Sequence, residues 1–247
     1  MKFLVTSDWH LDAVTAGVPR IDEFEGYLAA MCRTVVDEGV AAVLFAGDAF
    51  DPGRMLGPLY TRTLIEAAHR LTMAARRKIS VWIAGNHDVI EDSRGVTTLS
   101  PLAAHSINGR GDLTICVTEK PAAFEVGPVT VLCLPYMARA ADTDPEAWRR
   151  AFARAEDRTG PLVVLGHMTV PGALLGSESH EMARGRDLDL PVDALARLRP
   201  DVVINGHYHK AQVVRGRLDV LVPGSPHRFT FGERHDEAKG FAIVEVP

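Results

Sequence analysis

The sequence predicts an α/β fold with mixed sheets, two of them packed face to face between helices. Three observations lead there. Short β-branched runs alternate with amphipathic stretches through the first 84 residues. The early strands are continuously apolar, as in a sheet covered on both faces. After residue 110 the texture changes to closely spaced strands joined by turn residues, which adds antiparallel pairs to a parallel framework. With 247 residues, 47% of them hydrophobic and 24% charged, the chain can bury a large core, and residues 1–247 are expected to form a single domain.

In order, residues 3–6 read as a strand, 22–38 as a helix and 42–46 as a buried strand. A second helical pattern covers 58–77, and 80–84 returns as a strand. The runs 113–117, 122–126 and 129–134 read as antiparallel hairpin strands, with Gly127-Pro128 at a turn. Residues 145–158 are helical by pattern; 162–165 and 202–204 are buried strands; 213–214 and 219–222 pair across Gly216; and 241–246 forms the last strand. The longest connection, 169–191, is rich in Gly and charge, and a loop of that length within a compact domain is functional or disordered.

Composition excludes several classes. The longest apolar runs fall far short of the 18 or so residues that a membrane span needs, and the first residues lack a signal-peptide pattern. A formal net charge of −5 argues against a protein held to nucleic acid by bulk charge alone. Arg outnumbers Lys 22 to 5; this suits bidentate phosphate contacts but equally reflects coding bias. Cys32, Cys116 and Cys133 are odd in number and show no CxxC spacing. Buried free thiols and a cytoplasmic setting are expected.

The informative pattern lies at the strand ends. Asp8-Trp9-His10, Gly47-Asp48, Gly85-Asn86-His87-Asp88, Gly166-His167 and Asn205-Gly206-His207-Tyr208-His209 each stand at a predicted strand's C-terminal end, the edge where open α/β sheets bind ligands. Gly precedes the polar residue in four of the five, as a sharp turn requires. The set mixes imidazole, carboxylate and amide without thiolate. That is too many donors for one structural zinc, and it suits Mn, Fe or Zn better than Ca or Mg alone. A carboxylate shared between two ions is the architecture of two-metal phosphoryl chemistry, and Asp48 is the natural bridge. A lone Gly-His is uninformative. Gly-Asn-His-Asp, in a chain with three Asn and ten His, would arise by chance in about one shuffled chain in a thousand.

Together these motifs resemble the signature of the calcineurin-like metallophosphoesterase superfamily. Within it, Thr6-Ser7-Asp8-Trp9-His10-Leu11, Ala46-Gly47-Asp48-Ala49-Phe50-Asp51 and Gly206-His207-Tyr208-His209-Lys210-Ala211-Gln212 are similar to the SbcD-type DNA repair exonucleases, as are Pro223-Gly224-Ser225-Pro226 and Lys239-Gly240. Asp12 stands where that pattern often has Gly. The resemblance implies a four-layer sandwich and two divalent ions, Mn foremost with Fe, Zn or Mg as alternatives. Asp8, His10, Asp48 and His209 would hold one ion, and Asp48, Asn86, His167 and His207 the other. A metal-bridging hydroxide would attack phosphorus. His87 would stabilise the equatorial oxygens or protonate the leaving oxygen, and Asp88 would orient His87. DNA is the implied substrate, an SMC-like ATPase the implied partner, and a homodimer a common state among such nucleases. The chain is expected to lack the capping domain and ATPase-docking segment of the larger nucleases, which weighs against the ATPase.

The alternatives are a phosphatase or a small-molecule phosphodiesterase, for instance on cyclic nucleotides, and a non-catalytic scaffold with the same fold. Asp88, where phosphoprotein phosphatases of the superfamily carry Glu, leans towards diesters. His69 and His105 read as ordinary surface or half-buried residues. His180, Arg184 and Arg186 could track a phosphate backbone or simply be solvated. His227-Arg228-Phe229 could line the site, with packing the simpler role for Phe229. Arg149, Arg150, Arg154 and Arg158 follow helical spacing and read as a solvated face before a DNA-contacting one.

Overall fold

The computed structural model describes the chain except residues 52–56, 91–95, 108–112, 138–143, 177–186, 231–232 and 234–238, and the side chains of 105–107. One sheet holds the parallel strands β1 (Lys2–Thr6), β4 (Ala42–Phe45), β5 (Ile79–Ile83) and β6 (Thr114–Thr118), with β13 (Ala242–Glu245) antiparallel beside β1. Its order is β13-β1-β4-β5-β6. In the other, β8 (Val129–Leu134), β9 (Leu162–Gly166), β10 (Val202–Asn205) and β12 (Val220–Val222) are parallel, and β7 (Ala122–Val126) and β11 (Gln212–Val214) are antiparallel edges. The order there is β11-β12-β10-β9-β8-β7.

Strand alternation sorts side chains into three apolar layers. Phe3 and Val5 face the second sheet, joining Leu44, Val81, Ile83, Val131, Val163, Leu165 and Ile204 in a central core. Leu4, Val43, Phe45 and Trp82 face outward, onto α1 (Ile21–Asp37) and α2 (Pro58–Ala74). On the far side Leu132, Val164 and Val203 pack under α4 (Pro145–Glu156) and α5 (Val192–Leu198). The result is the expected helix–sheet–sheet–helix sandwich. Helix α4 starts where the Asp144 carboxylate accepts the N–H groups of Glu146 and Ala147, with Pro145 in the first turn.

The structure departs from the sequence reading in places. Residues 113–134 do not form one run of hairpins. Only β7 and β8 do; β6 runs parallel to β5 in the other sheet, and the chain crosses between sheets at 119–121. Helix α2 ends at Ala74 because Ala75 turns extended and Arg76 donates to the Val40 carbonyl. Three short pieces carry too little periodicity to be read: the β2 (Val14–Thr15)–β3 (Val18–Pro19) hairpin, α3 (Ser100–Ile107) and α5. The cysteines are free thiols, but only Cys133 in β8 is fully buried; Cys32 in α1 and Cys116 in β6 are half-buried, and burial pushes all three upward in pKa. No helix among the described residues is long and apolar enough to cross a membrane.

Register aligns the ends that matter. Thr6 lies opposite Phe45 in one sheet and Asn205 opposite Gly166 in the other, and His167 Nδ1 donates to the Ala46 carbonyl at 2.6 Å across them, so the C-terminal edges of both sheets open onto one region. Leu44→Ala, in the central core, should cost about 2–5 kcal/mol by urea denaturation, whereas Val213→Ala on an exposed edge should stay within about 0.5 kcal/mol.

Candidate metal centre

Three of the five sequence motifs leave their strands through unusual backbone. Asp8, His10, Asp48 and His207 all have positive φ, at 54°, 42°, 61° and 77°. Such conformations are uncommon outside Gly and cluster at functional sites. Trp9, between Asp8 and His10, supplies the anchor. Its ring is fully buried against Phe24, Phe45 and Trp82 at 4.7, 4.8 and 5.4 Å, and its Nε1 donates to Thr6 Oγ1 at 2.8 Å. With the indole pinned inward, the neighbouring carboxylate and imidazole are turned to the sheet edge.

The glycines act in two ways. Gly47 does make the expected turn, with φ of 93°. Gly85 does not have positive φ; it is needed because a Cβ there would lie 2.0 Å from Asp48 Oδ1.

Asp48 stands at the centre. Its Oδ1 accepts the His87 N–H at 2.9 Å. Its Oδ2 lies 3.3 Å from His167 Nε2 and 3.9 Å from Nε2 of both His10 and His87. On one side Asp8, His10 and His209 converge: the two imidazole Nε2 atoms are 3.1 Å apart, and His209 Nε2 is 4.0 Å from Asp8 Oδ1. On the other, Asp48, His167 and His207 converge. Asn86 Oδ1 sits 3.0 Å from His167 Nε2 and 2.8 Å from His207 Nδ1. Thus Asp8, His10, Asp48, Asn86, His167, His207 and His209 meet in two adjoining groups, with His87 beside them.

This donor set fits cations. His167 donates its Nδ1 proton to the Ala46 carbonyl at 2.6 Å, which leaves Nε2 as the atom that faces the site and would offer a lone pair to a cation once its proton is released. Burial keeps His207 and His209 below the usual imidazole range, and for His209 the neighbouring His10 acts the same way, so both offer lone pairs. Burial would raise Asp48, but His167 and His87 overcome it and hold the carboxyl well below the ordinary range. Burial would lower His167, yet Asp48 and Asp8 push it up to about 9. The pocket therefore draws in positive charge, whether a proton or a metal ion.

Asp88 does not orient His87. Its Oδ2 accepts the N–H groups of Asp48 and Gly85, both at 2.8 Å, and its Oδ1 accepts the Ala49 N–H at 3.1 Å and the Thr98 hydroxyl at 2.5 Å. It fastens the β4 and β5 strand ends together. On the Nδ1 side of His87 stands Asp51, whose Oδ1 lies 4.0 Å from His87 Nδ1 and 3.2 Å from His10 Nδ1. Asp51 is itself held through its N–H by the buried Asp12 carboxylate at 2.6 Å. The sequence reading misses Asp51, although Gly-Asp-Ala-Phe-Asp places it three residues after Asp48. Asp187, 3.7 Å from His207 Nε2, lies in no motif at all.

Phe229 packs edge-on against His10 and tilted against His209, with ring centroids at 4.9 and 5.0 Å. His227 is buried behind it, against Tyr27. Lys239 reaches the site from further along the chain; its buried ammonium pairs with Glu233 and donates to the His209 carbonyl at 2.9 Å and Ser225 Oγ at 3.0 Å. Arg149 and Arg150 pair with Glu146, and Arg154 with Glu125. Arg158 instead caps helix ends, donating to the carbonyls of Ala155 and Leu198. His69 is exposed on α2. His180, Arg184 and Arg186 lie outside the described residues, as does the His105 side chain.

The chain belongs to the calcineurin-like phosphoesterase family, whose model matches residues 1–211. Fold, family and donor set together define a metal-dependent phosphoesterase. Among curated proteins it is similar to the SbcD subunit of the nuclease SbcCD from Escherichia coli K12, at 27% identity over 94% of this chain and 62% of the relative. The Bacillus subtilis protein of the same name is 28% identical over the full chain and 66% of its own length. The chain therefore spans somewhat under two thirds of the E. coli relative. Among solved structures, a Plasmodium GAP50, described as an anchor in the inner membrane complex, aligns with TM-score 0.59 at 14% identity, covering 98% of this chain and 80% of that one. A dimetal phosphatase from Danio rerio aligns with TM-score 0.54 at 11% identity, covering 98% and 91%. These two likenesses concern the fold.

Two outcomes are expected. Asp88→Ala strands three buried N–H groups and should cost about 3 kcal/mol or more in chemical denaturation, with loss of metal binding. His167, protonated at neutral pH when metal is stripped, must give up its proton to a cation. Mn²⁺ affinity should thus rise with pH up to about 9 and level above it. Titration calorimetry in buffers of different ionisation enthalpy at pH about 7.5 should detect release of about one proton.

Proposed function

We propose that this chain is a two-metal phosphodiesterase that cleaves DNA. The observation that carries the reading is the position of the Asp48 carboxylate between two converging donor groups, with a further imidazole, His87, at its side. Asp8, His10, Asp48 and His209 would hold one ion, and Asp48, Asn86, His167 and His207 the other. Mixed nitrogen and oxygen donors support Mn²⁺, with Fe, Zn and Mg as competitors. Bound ions would supply a water ionised near neutral pH and neutralise the incoming phosphate.

The chain's own residues do the rest. His87 hydrogen-bonds a phosphate oxygen or delivers a proton to the leaving oxygen. Asp51, facing Nδ1 of both His87 and His10, keeps each ring turned toward Asp48. Burial around Asp8, Asp48 and His167 excludes bulk water from the donors, while half-buried Asn86 marks the open side where a phosphate enters.

The relatives named as nuclease subunits support DNA as the substrate, and an ATPase partner is proposed on that likeness alone. A small phosphodiester is the second reading. It is favoured by the net charge of −5 and by α4 arginines that are already engaged with Glu146 and Glu125.

The test is incubation with Mn²⁺ and end-labelled single- and double-stranded DNA, beside a bis-p-nitrophenyl diester. Cleavage of DNA that disappears in Asp48→Asn is the expected result; diester cleavage with intact DNA would turn the assignment to small substrates. His87→Ala should retain metal but lose about 10²–10⁴-fold on DNA. The p-nitrophenyl diester, whose leaving group needs no proton, should lose much less if His87 acts as the acid. Equal loss on both would assign His87 to the phosphate oxygens instead.

A further inference from the structure

We propose that Asp187, steadied by Tyr136, is a positioning residue that fixes His207 within the second donor group. This ties the end of the 169–191 connection to metal binding. The inference rests on the two-metal reading above.

The His207 ring has two distinct faces. Its Nδ1 meets the donor group, 2.8 Å from Asn86 Oδ1. Its Nε2 points away, is buried, and makes no hydrogen bond among the described residues. An imidazole that presents an Nδ1 lone pair to a cation carries its proton on Nε2. A buried N–H needs an acceptor. The structure places the Asp187 Oδ2 there, at 3.7 Å. That is within a small side-chain rotation of a hydrogen bond, and it would form when His207 commits to its metal-binding tautomer.

Asp187 is poised for this. Its other oxygen accepts the Tyr136 hydroxyl at 2.6 Å. Its backbone neighbours are fixed: Leu188 N–H donates to the Met137 carbonyl at 3.4 Å, and Leu190 N–H to the Thr169 carbonyl at 2.8 Å. Tyr136 N–H in turn donates to the Ala84 carbonyl at 2.9 Å, two residues before Asn86. The contacts form a closed circuit: Ala84 to Tyr136, Tyr136 to Asp187, Asp187 to His207, His207 to Asn86, and back along the chain. The first donor group has a counterpart, since Asp51 stands 3.2 Å from the Nδ1 of His10. A carboxylate behind a ligating imidazole fixes its tautomer and strengthens it as a donor; losing such a partner typically weakens metal affinity about 10–100-fold.

The test is Mn²⁺ titration calorimetry on chelator-stripped wild type, Asp187→Ala, Asp187→Asn and Tyr136→Phe, with the visible spectrum of bound Co²⁺ as a second readout. Wild type should bind two ions. Asp187→Ala should weaken one of them about 10–100-fold and spare the other, with a changed Co²⁺ spectrum. Asp187→Asn, which keeps an acceptor oxygen, should stay within about threefold of wild type, and Tyr136→Phe should fall between. Wild-type affinity for both ions in Asp187→Ala overturns the inference while leaving the two-metal reading standing. Fewer than two ions in wild type overturns both. If Asp187→Ala fails to melt cooperatively, the other two variants decide: a weakened Tyr136→Phe beside a near-normal Asp187→Asn supports the inference, and any other pattern overturns it.

Discussion

The site depends on one buried carboxylate that never faces it. Asp88 gathers the N–H groups of Asp48, Ala49 and Gly85, and the Thr98 hydroxyl, around its two oxygens. These N–H groups are left over where two parallel strands end, and buried donors of that kind must be satisfied. By satisfying them together, Asp88 draws the β4 and β5 ends close enough for Asp48 Oδ1 to occupy the space of the missing Gly85 side chain. The aim of Asp48, and with it the spacing of the imidazoles on both sides, follows from that contact.

Much of this is legible in the sequence because it is written at strand ends. Continuous apolar runs mark β1, β4, β5, β8, β9 and β10, and each motif sits directly after one of them. The path between sheets cannot be read in the same way. Residues 113–134 have one texture throughout, yet β6 belongs to the first sheet and β7 to the second. Nothing local distinguishes a strand that will find a parallel partner from one that will fold back on its neighbour. The expectation for Asp88 fails for a related reason. Adjacency to His87 suggests a contact with its ring, but consecutive side chains on a tight turn diverge, and Asp88 points to the backbone. Asp51 and Asp187, which do approach the imidazoles, are hidden because their contacts exist only once the connections are folded over the edge.

The electrostatic balance of the site is equally collective. Asp8 is raised by burial, with Asp48 adding to the shift, while Asp48 is held low by His167 and His87. Neither carboxylate has an intrinsic state here; each reports its neighbours. The cluster is costly in low dielectric without a cation among the donors, and this gives a physical reason for the rigid frame of Trp9, Asp88 and the flanking strands. A looser scaffold would relieve the crowding by moving apart.

Lys239 carries a consequence for how the protein comes into being. Every candidate ligand lies at or before His209, inside the stretch that matches the family model. The His209 carbonyl, however, is gripped by Lys239 and Ser225, and β1, which aims Asp8 and His10, takes its antiparallel neighbour from β13, with Lys2 opposite Glu245. A growing polypeptide thus displays all its donors while the braces for two of the motifs are still to be made. Removing residues 239–247 would therefore leave every candidate donor in the chain while taking away the Lys239 contact to the His209 carbonyl and the β13 neighbour of β1.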